Sequence, residues 1–393
     1  MSSDTNNFHK SKKSAAFLKH AILDSYVTPF ASKTGSTSRG SRVAFIDGYA
    51  GPGRYDDGSE GSGAMLLRKA KELAAMRSPR RVELHFVDDE EETVARLARV
   101  ASDEGEGVSY TITDGDIATQ LPTLLDAVKD IPLFVYLDPC GLPIPLDEVA
   151  GIFDRPAGPG TPATEVLINL TAGLRRFAGM LYSEKVVENS LKALDAACGG
   201  DWWRAVWLEK CPTKSASEEQ KMAAELAVVE GYAERLSKRA GGAGTRIIEV
   251  KPRAHLKPVY YLVFATRSTH GLVTFGDSAS KGLEKWRRHN AEMDAEDTLF
   301  GEAAEWEAGW NAEEARLKAQ WVDTLTQRLI TELAKGQPFR IIDKVEEILG
   351  DGLVGVVRTM HLRAAINKAR AAGKTTTETK NVDDLYDLWI TPA

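Results

Sequence analysis

Val43-Ala44-Phe45-Ile46-Asp47-Gly48-Tyr49-Ala50-Gly51-Pro52-Gly53 decides the fold. The first four residues are an apolar run of the kind a buried strand shows, and an acid and a glycine-rich turn follow at once. From Gly48 to Gly63 there are six glycines together with Pro52, so this stretch is loop. Ala64 to Arg77 then reads as a helix, with Met65, Leu66, Leu67, Ala70, Leu73 and Ala74 on its apolar side, and Pro79 follows its end. The same alternation recurs downstream. Strands are expected at Val82–Val87, Tyr110–Thr113, Leu133–Leu137 and Val166–Asn169, with helices at Glu90–Ser102 and Ile117–Val128 between them. Leu133-Phe134-Val135-Tyr136-Leu137 is apolar throughout, as a central parallel strand is when both its faces are covered. Strands and helices in alternation specify an α/β domain with a parallel, doubly wound sheet.

On the N-terminal side, Phe17 to Phe30 carries helical apolar spacing that Pro29 is expected to stop, and Ala31 to Ser41 reads as a loop. On the C-terminal side, a helical insertion is expected at about 171–245, with Trp202, Trp203 and Trp207 read as its core. Ile247–Val250 and Val259–Thr266 then resemble a terminal antiparallel hairpin on the sheet. These elements define a domain at 1–285. A second domain, 286–393, is expected to be helical. Its turn at Leu353–Val357, helix at Met360–Ala372 and extended Thr375–Thr377 make it winged-helix-like.

Composition narrows the function. The 393 residues are 43% apolar and 27% charged, which excludes disordered and collagenous classes. A net charge of −7 excludes a general polyanion binder and leaves room for a local basic groove. Cys140, Cys198 and Cys211 are too few and too scattered for a disulfide framework or a closed zinc site, so no metal site is expected. The same sparse cysteine usage makes the expected location cytoplasmic and reduced; no apolar run is long enough to span a bilayer, and Met1–Lys13 has no apolar core for a signal peptide.

Two segments carry chemistry. The glycine loop falls beyond the carboxyl end of a strand, where open α/β sheets bind ligands. Its spacing is not the dinucleotide G-x-G-x-x-G. The acid ending the next strand, Asp88, lies 41 residues after Asp47, against about 20 in a dinucleotide site. That argues against a nicotinamide-dependent oxidoreductase. An acid before the glycines and a second at the next strand end suit S-adenosylmethionine, with Asp47 near its cationic methionine portion and Asp88 on its ribose hydroxyls. A tight strand–helix turn without ligand is the plainer alternative. The second segment, Asp138-Pro139-Cys140-Gly141, ends the most apolar strand. A carboxylate there needs partners or solvent. With the Pro139 carbonyl, Asp138 can hold the N–H groups of an amine and localise its lone pair for in-line methyl transfer.

These residues resemble a known family. Asp47 to Tyr55, Gly61-Ser62, Leu133 to Gly141 and Glu165-Val166-Leu167-Ile168-Asn169 look like the three-Cys-motif partner proteins, which are Rossmann-like, Class I methyltransferases in expectation. More distantly they are similar to the large-subunit ribosomal RNA adenine-N6 methyltransferases, through Leu18-Lys19-His20, Ala50 to Tyr55 and Asp114-Gly115. The resemblance implies that Lys19 and His20 close over S-adenosylmethionine. It implies a cradle of Asp47, Gly48, Tyr49, Ala50, Gly51 and Gly53, a ribose contact at Asp88, and Asp114 or Asp116 near the adenine. Asp138 and Pro139 would hold the methyl acceptor, with Tyr55, Asn169 and Arg175 on the substrate side. It also implies a separate partner carrying a three-cysteine, radical-S-adenosylmethionine-like motif. One departure stands out. Cys140-Gly141 replaces the Pro-Tyr whose ring stacks on a flipped base in the RNA enzymes. Tyr49, Tyr55 or Phe177 then remains as a source of that ring. A non-catalytic, cofactor-binding partner subunit is the rival reading. Nucleic acid is a further possible partner, through the basic segment Lys10, Lys12 and Lys13 or the basic stretch from Arg358 to Lys374, although a solvated charged face explains either.

Overall fold

The computed structural model describes residues 2–158, 160–171, 173–183, 187–296, 303–350 and 352–393. The chain divides into two compact units, Met1–His20 with Val27–Leu272, and Ala21–Tyr26 with Val273–Ala393.

Most of helix α1 (Ser2–Gly35) belongs to the first unit and precedes strand β1 (Arg42–Asp47). Then come α2 (Ser62–Ala74), β2 (Arg81–Asp88), α3 (Glu91–Glu104), β3 (Ser109–Asp114), α4 (Ile117–Ala127) and β4 (Leu133–Leu137). The short helix α5 (Leu146–Gly151) leads to β5 (Thr164–Thr171). Helices α6 (Gly173–Ala178), α7 (Glu188–Cys198), α8 (Trp202–Lys210) and α9 (Glu218–Arg239) make up the expected insertion, and β6 (Gly244–Val250) and β7 (Tyr260–Thr266) close the sheet. The seven strands lie in the order β3-β2-β1-β4-β5-β7-β6. β1 to β5 are mutually parallel, and β7 runs antiparallel between β5 and β6. This is a Rossmann-like α/β sheet with one antiparallel strand, β7, inserted beside its edge strand.

The reason for this order is visible in burial. All five residues of β4 and five of the six in β1 are buried, so these strands need cover on both faces and take the centre. Parallel pairing puts the carboxyl ends of β1, β2, β4 and β5 on one rim, at Asp47, Asp88, Leu137 and Thr171. Because β7 is antiparallel, its first residue, Tyr260, pairs with Thr171 and reaches the same rim.

Pro29 does not stop α1. The helix runs on to Gly35, and a 3-10 turn, Arg39–Ser41, fills what was expected to be loop. A proline inside a helix costs about 3 kcal/mol through a lost N–H and a clash with the preceding turn. Burial offsets it here. Val27, Phe30 and Ala31 are buried, and the Phe30 ring centroid lies 5.5 Å from that of Phe45 and 5.7 Å from that of Phe134. In the insertion, Trp203 and Trp207 are buried core, as expected, and Arg235 lies over the half-buried Trp202 ring.

The second unit contains most of α10 (Thr269–Glu296), then α11 (Ala303–Leu333), β8 (Phe339–Arg340), α12 (Val345–Leu349), α13 (Thr359–Ala371) and β9 (Trp389–Ile390). β8 and β9 pair antiparallel, Thr375 bridges to Pro392, and α13 covers the helix expected at Met360–Ala372. Its basic stretch is largely spent internally. Arg358 pairs with Glu284, Lys368 with Asp323 and Arg370 with Glu378, while Arg363 donates to the carbonyls of Thr379 and Val382. The side chains of Lys10, Lys12 and Lys13 lie outside the described residues. Among the described residues no helix is long and apolar enough to cross a membrane.

Candidate functional site

The glycine loop is pinned to the sheet by its backbone. Gly48 N–H donates to the Tyr136 carbonyl at 2.9 Å, and Ala50 N–H to the Val87 carbonyl at 3.0 Å. Gly51 N–H donates to Asp88 Oδ2 at 2.9 Å, and Glu90 N–H to Asp88 Oδ1 at 3.2 Å. The loop can lie this close because Gly51 and Gly53 take positive φ, 62° and 76°, which a side chain disfavours. A Cβ on Gly53 would also meet Leu97 at 2.9 Å. The carboxylate at the end of β2 thus orders the loop that leaves β1.

Asp47 is fully buried. Tyr49 N–H approaches its Oδ1 at 3.4 Å, while Oδ2 has no hydrogen-bond partner among the described residues. Burial pushes this carboxyl up to about 7, and the nearby Ser62 hydroxyl and Tyr49 amide offset that only in part. An orphaned, buried acceptor of this kind is complementary to a cationic donor.

Asp138 is the most heavily partnered acid of the rim. Lys19 Nζ donates to Oδ1 at 2.9 Å and to Oδ2 at 2.8 Å. Tyr136 Oη donates to Oδ2 at 2.9 Å, and Asn169 Nδ2 to Oδ1 at 2.5 Å. Burial alone would raise the Asp138 carboxyl. The Lys19 charge and these three donors outweigh it and hold the group below the ordinary carboxylate range. Lys19 also sits 4.4 Å above the Tyr260 ring centroid. Next to it, burial and then the Lys19 charge lower the His20 imidazole, whose ring lies 6.1 Å from that of Tyr55.

Lys19, His20, Asp47, Tyr55, Asp138 and Asn169 therefore gather at one rim. The Tyr55 hydroxyl is raised by burial and next by the charges of Asp138 and Asp47, although the residue as a whole is 47% exposed. Pro139 is buried beside Asp138, and Cys140 is exposed. Asp114 ends β3, paired in register with Asp88, and is exposed. Asp116 caps α4 by accepting from Thr119 N–H at 3.0 Å, and its charge is felt by the half-buried Tyr49 hydroxyl. Arg175 is placed differently. Its described partners are the buried Glu225, at 2.7 Å, and Glu218, at 3.1 Å.

Sequence reasoning missed Tyr136 and Tyr260. Tyr136 stands two residues before Asp138 and so on the same strand face, a signal that period-two alternation carries. Tyr260 reaches the rim through the antiparallel register of β5 and β7, which its sequence neighbourhood does not announce.

No family model and no curated protein matches the chain. Solved structures do. A proposed rRNA methylase of Clostridium thermocellum is 9% identical with a TM-score of 0.28, over 61% of this chain and 96% of its own. A proposed sarcosine dimethylglycine methyltransferase of Galdieria sulphuraria is 12% identical with a TM-score of 0.28, over 63% of this chain and 85% of its own.

Proposed function

We propose that the protein is an S-adenosylmethionine-dependent methyltransferase acting on a nitrogen of a nucleic acid or a related acceptor. The observation that carries this reading is the Asp47 carboxylate, fully buried with Oδ2 unpaired among the described residues, at the root of a glycine loop tied to Asp88. The donor set fits the cofactor. Asp47 offers an acceptor to the ammonium of the methionine portion. A carboxylate has about four lone-pair sites, so Asp88, with two backbone N–H contacts, retains acceptor capacity for ribose hydroxyls. When bound, the cofactor supplies a methyl group activated by its positive sulfur. The chain's own residues do the rest. The loop and Asp88 fix the nucleoside end, Asp47 neutralises charge, and Asp138 orients an acceptor N–H, with Tyr136 and Asn169 holding its carboxylate in place. The exposed Tyr55 ring beside His20 offers a stacking face in place of the missing Pro-Tyr.

A three-cysteine-motif partner and a cytoplasmic location belong to the same proposal and rest on the resemblance and on cysteine usage. The test is incubation with labelled S-adenosylmethionine and fractionated cell extract. Label in an RNA or DNA pool, lost in Asp138→Ala, supports the reading. Label only in lipid or small-molecule fractions contradicts the nucleic-acid acceptor.

One observation favours a second reading, a non-catalytic cofactor-binding subunit. Asp138 is already engaged by Lys19, Tyr136 and Asn169. A stable complex with the three-cysteine protein, together with no transfer to RNA, DNA or protein, would establish it.

A further inference from the structure

We propose that a basic groove at the amino ends of β1 and β2, at the opposite end of these strands from Asp47 and Asp88, binds the phosphodiester backbone of a nucleic acid. The inference rests on the reading that the methyl acceptor belongs to a nucleic acid. It adds a second place of contact, away from the reacting nitrogen.

The groove has a volume of about 660 Å³, within the range of ligand sites. Arg42, Lys71, Arg80 and Arg81 line it against two acids, Glu83 and Glu106. In a chain of net charge −7 this is a local reversal of sign. Glu83 is already spent, since it accepts from Arg42 Nε at 2.5 Å and from Arg42 Nη2 at 3.0 Å. Arg80 gives its N–H groups to the carbonyls of Ser32, Ser78 and Pro79, which satisfies its hydrogen bonds and leaves its charge uncompensated. Lys71 and Arg81 are exposed, and neither is in an ion pair among the described residues. Glu104, whose carboxyl the Lys71 charge helps to lower, is held by Arg54 at 2.5 and 2.8 Å. Two more exposed cations, Arg39 before β1 and Arg77 past the end of α2, are likewise in no ion pair among the described residues. The second unit differs in that Arg358, Lys368 and Arg370 each meet an acid of their own.

Strand register concentrates the charge. Arg42 of β1 lies opposite Arg81 of β2, and Glu83 serves Arg42 alone. Like charges on neighbouring strands repel, and a bound anion relieves that repulsion. The anion that fits is a phosphate, which a guanidinium fork grips through two parallel N–H bonds. None of the described lining residues is aromatic, so the groove has no platform on which bases stack. It offers charge and N–H donors, the means by which proteins hold a nucleic-acid backbone without reading its sequence. From Arg81 to Asp88, β2 extends about 23 Å. The phosphates held here therefore belong to nucleotides well away from the one that reacts.

The test uses the full chain without S-adenosylmethionine and reads the fluorescence anisotropy of a labelled oligouridylate through a salt series. The wild type is expected to bind, with an affinity that falls as salt rises. In Lys71→Ala/Arg81→Ala the slope of log affinity against log salt should be shallower by about 1.4, from two phosphate contacts at about 0.7 each for a single strand. Affinity at low salt should drop at least about tenfold. The melting temperature should hold, since both side chains are exposed and in no ion pair among the described residues. Lys368→Ala/Arg370→Ala removes the same formal charge elsewhere and should keep the wild-type slope. No binding by the wild type, an unchanged slope in the groove variant, or an equal change in both variants overturns the proposal. Displacement of the oligouridylate by poly-L-glutamate at equal charge concentration would assign the groove to an acidic peptide and overturn it as well. The acceptor reading is judged separately, by label transferred from S-adenosylmethionine. RNA labelled by the groove variant as fast as by the wild type would remove this surface and leave that reading standing, whereas binding without any transfer to nucleic acid would do the reverse.

Discussion

Lys19 and Asp138 lie 119 residues apart in the chain, yet the Lys19 ammonium donates to both carboxylate oxygens, at 2.9 and 2.8 Å. The pair joins α1 to the end of β4, so the N-terminal helix takes part in the rim at the carboxyl ends of the strands and does not merely cover the sheet. It is also mostly buried, at 11% and 18% side-chain exposure, and removal of one partner leaves an uncompensated charge in a poorly solvated place.

Asp138→Asn should therefore lower stability by about 1–3 kcal/mol, less than a fully buried pair would lose. It should abolish methyl transfer and leave S-adenosylmethionine affinity within about threefold, because the cofactor contacts proposed above are Asp47 and Asp88. Denaturant melts, calorimetry and a transfer assay on the same preparation separate these effects. An equal loss of binding and transfer would move Asp138 into the cofactor site.

Tyr136→Phe removes one donor from the Asp138 carboxylate and leaves the ring in the core. A loss of about 0.5–1.5 kcal/mol in stability is expected, with transfer reduced by roughly an order of magnitude at unchanged cofactor affinity. A variant as active as the wild type would show that Asp138 does not depend on this hydroxyl.

The two acids give opposite pH dependences. Asp138 has its carboxyl held below the usual range, so its contribution to stability is present above the unfolded value of 3.8 and is lost as acid protonates it in the folded state. Asp47, raised to about 7 by burial, behaves in reverse. Its contribution is full below 3.8 and is lost as the pH rises through 7, an effect of order 4 kcal/mol at most. Asp47→Asn should accordingly melt higher than the wild type at pH 8, with the gap narrowing towards pH 5. A gap independent of pH would mean that Asp47 is not the buried acid described. Cofactor binding to the wild type near pH 7 should release protons, read as a buffer-dependent heat.

Gly53→Ala should destabilise by roughly 1–3 kcal/mol, since the substituted residue meets both a disfavoured φ of 76° and a Cβ contact of 2.9 Å with Leu97. Cofactor affinity should fall with it if the loop is the cofactor cradle proposed above. Unchanged melting and unchanged affinity would separate the loop from the site.

Arg175→Ala leaves Glu225, 1% exposed, without its ion-pair partner. A loss of about 3 kcal/mol is expected, largely restored by adding Glu225→Gln. Cofactor affinity should stay the same. Lost transfer in the double variant at wild-type stability would return Arg175 to the substrate side.

Much of this was legible in the residues themselves. The strands β1, β2, β4 and β5 announce themselves as apolar runs ending in acids or turns, and glycine loops have few conformational alternatives. The carboxyl-end rim follows from parallel pairing, so Asp47, Asp88 and Asp138 fall into place together. The rest depended on packing over long separations. Pro29 is tolerated because Phe30 is buried against Phe45 and Phe134, and local propensity carries no information about that. Arg175 looks like a free cation after β5 until α9, some fifty residues later, brings Glu225 to it. Tyr260 reaches the rim only through an antiparallel register. The resemblance supplied Lys19 as a residue near the cofactor, and the ion pair with Asp138 came from the fold.

The most direct measurement is calorimetry of S-adenosylhomocysteine against the wild type and Asp47→Ala at pH 7. One molecule is expected to bind per chain, with affinity at least about tenfold weaker in the variant. No heat of binding in the wild type, or equal affinity in both proteins, would contradict a cofactor site built on Asp47.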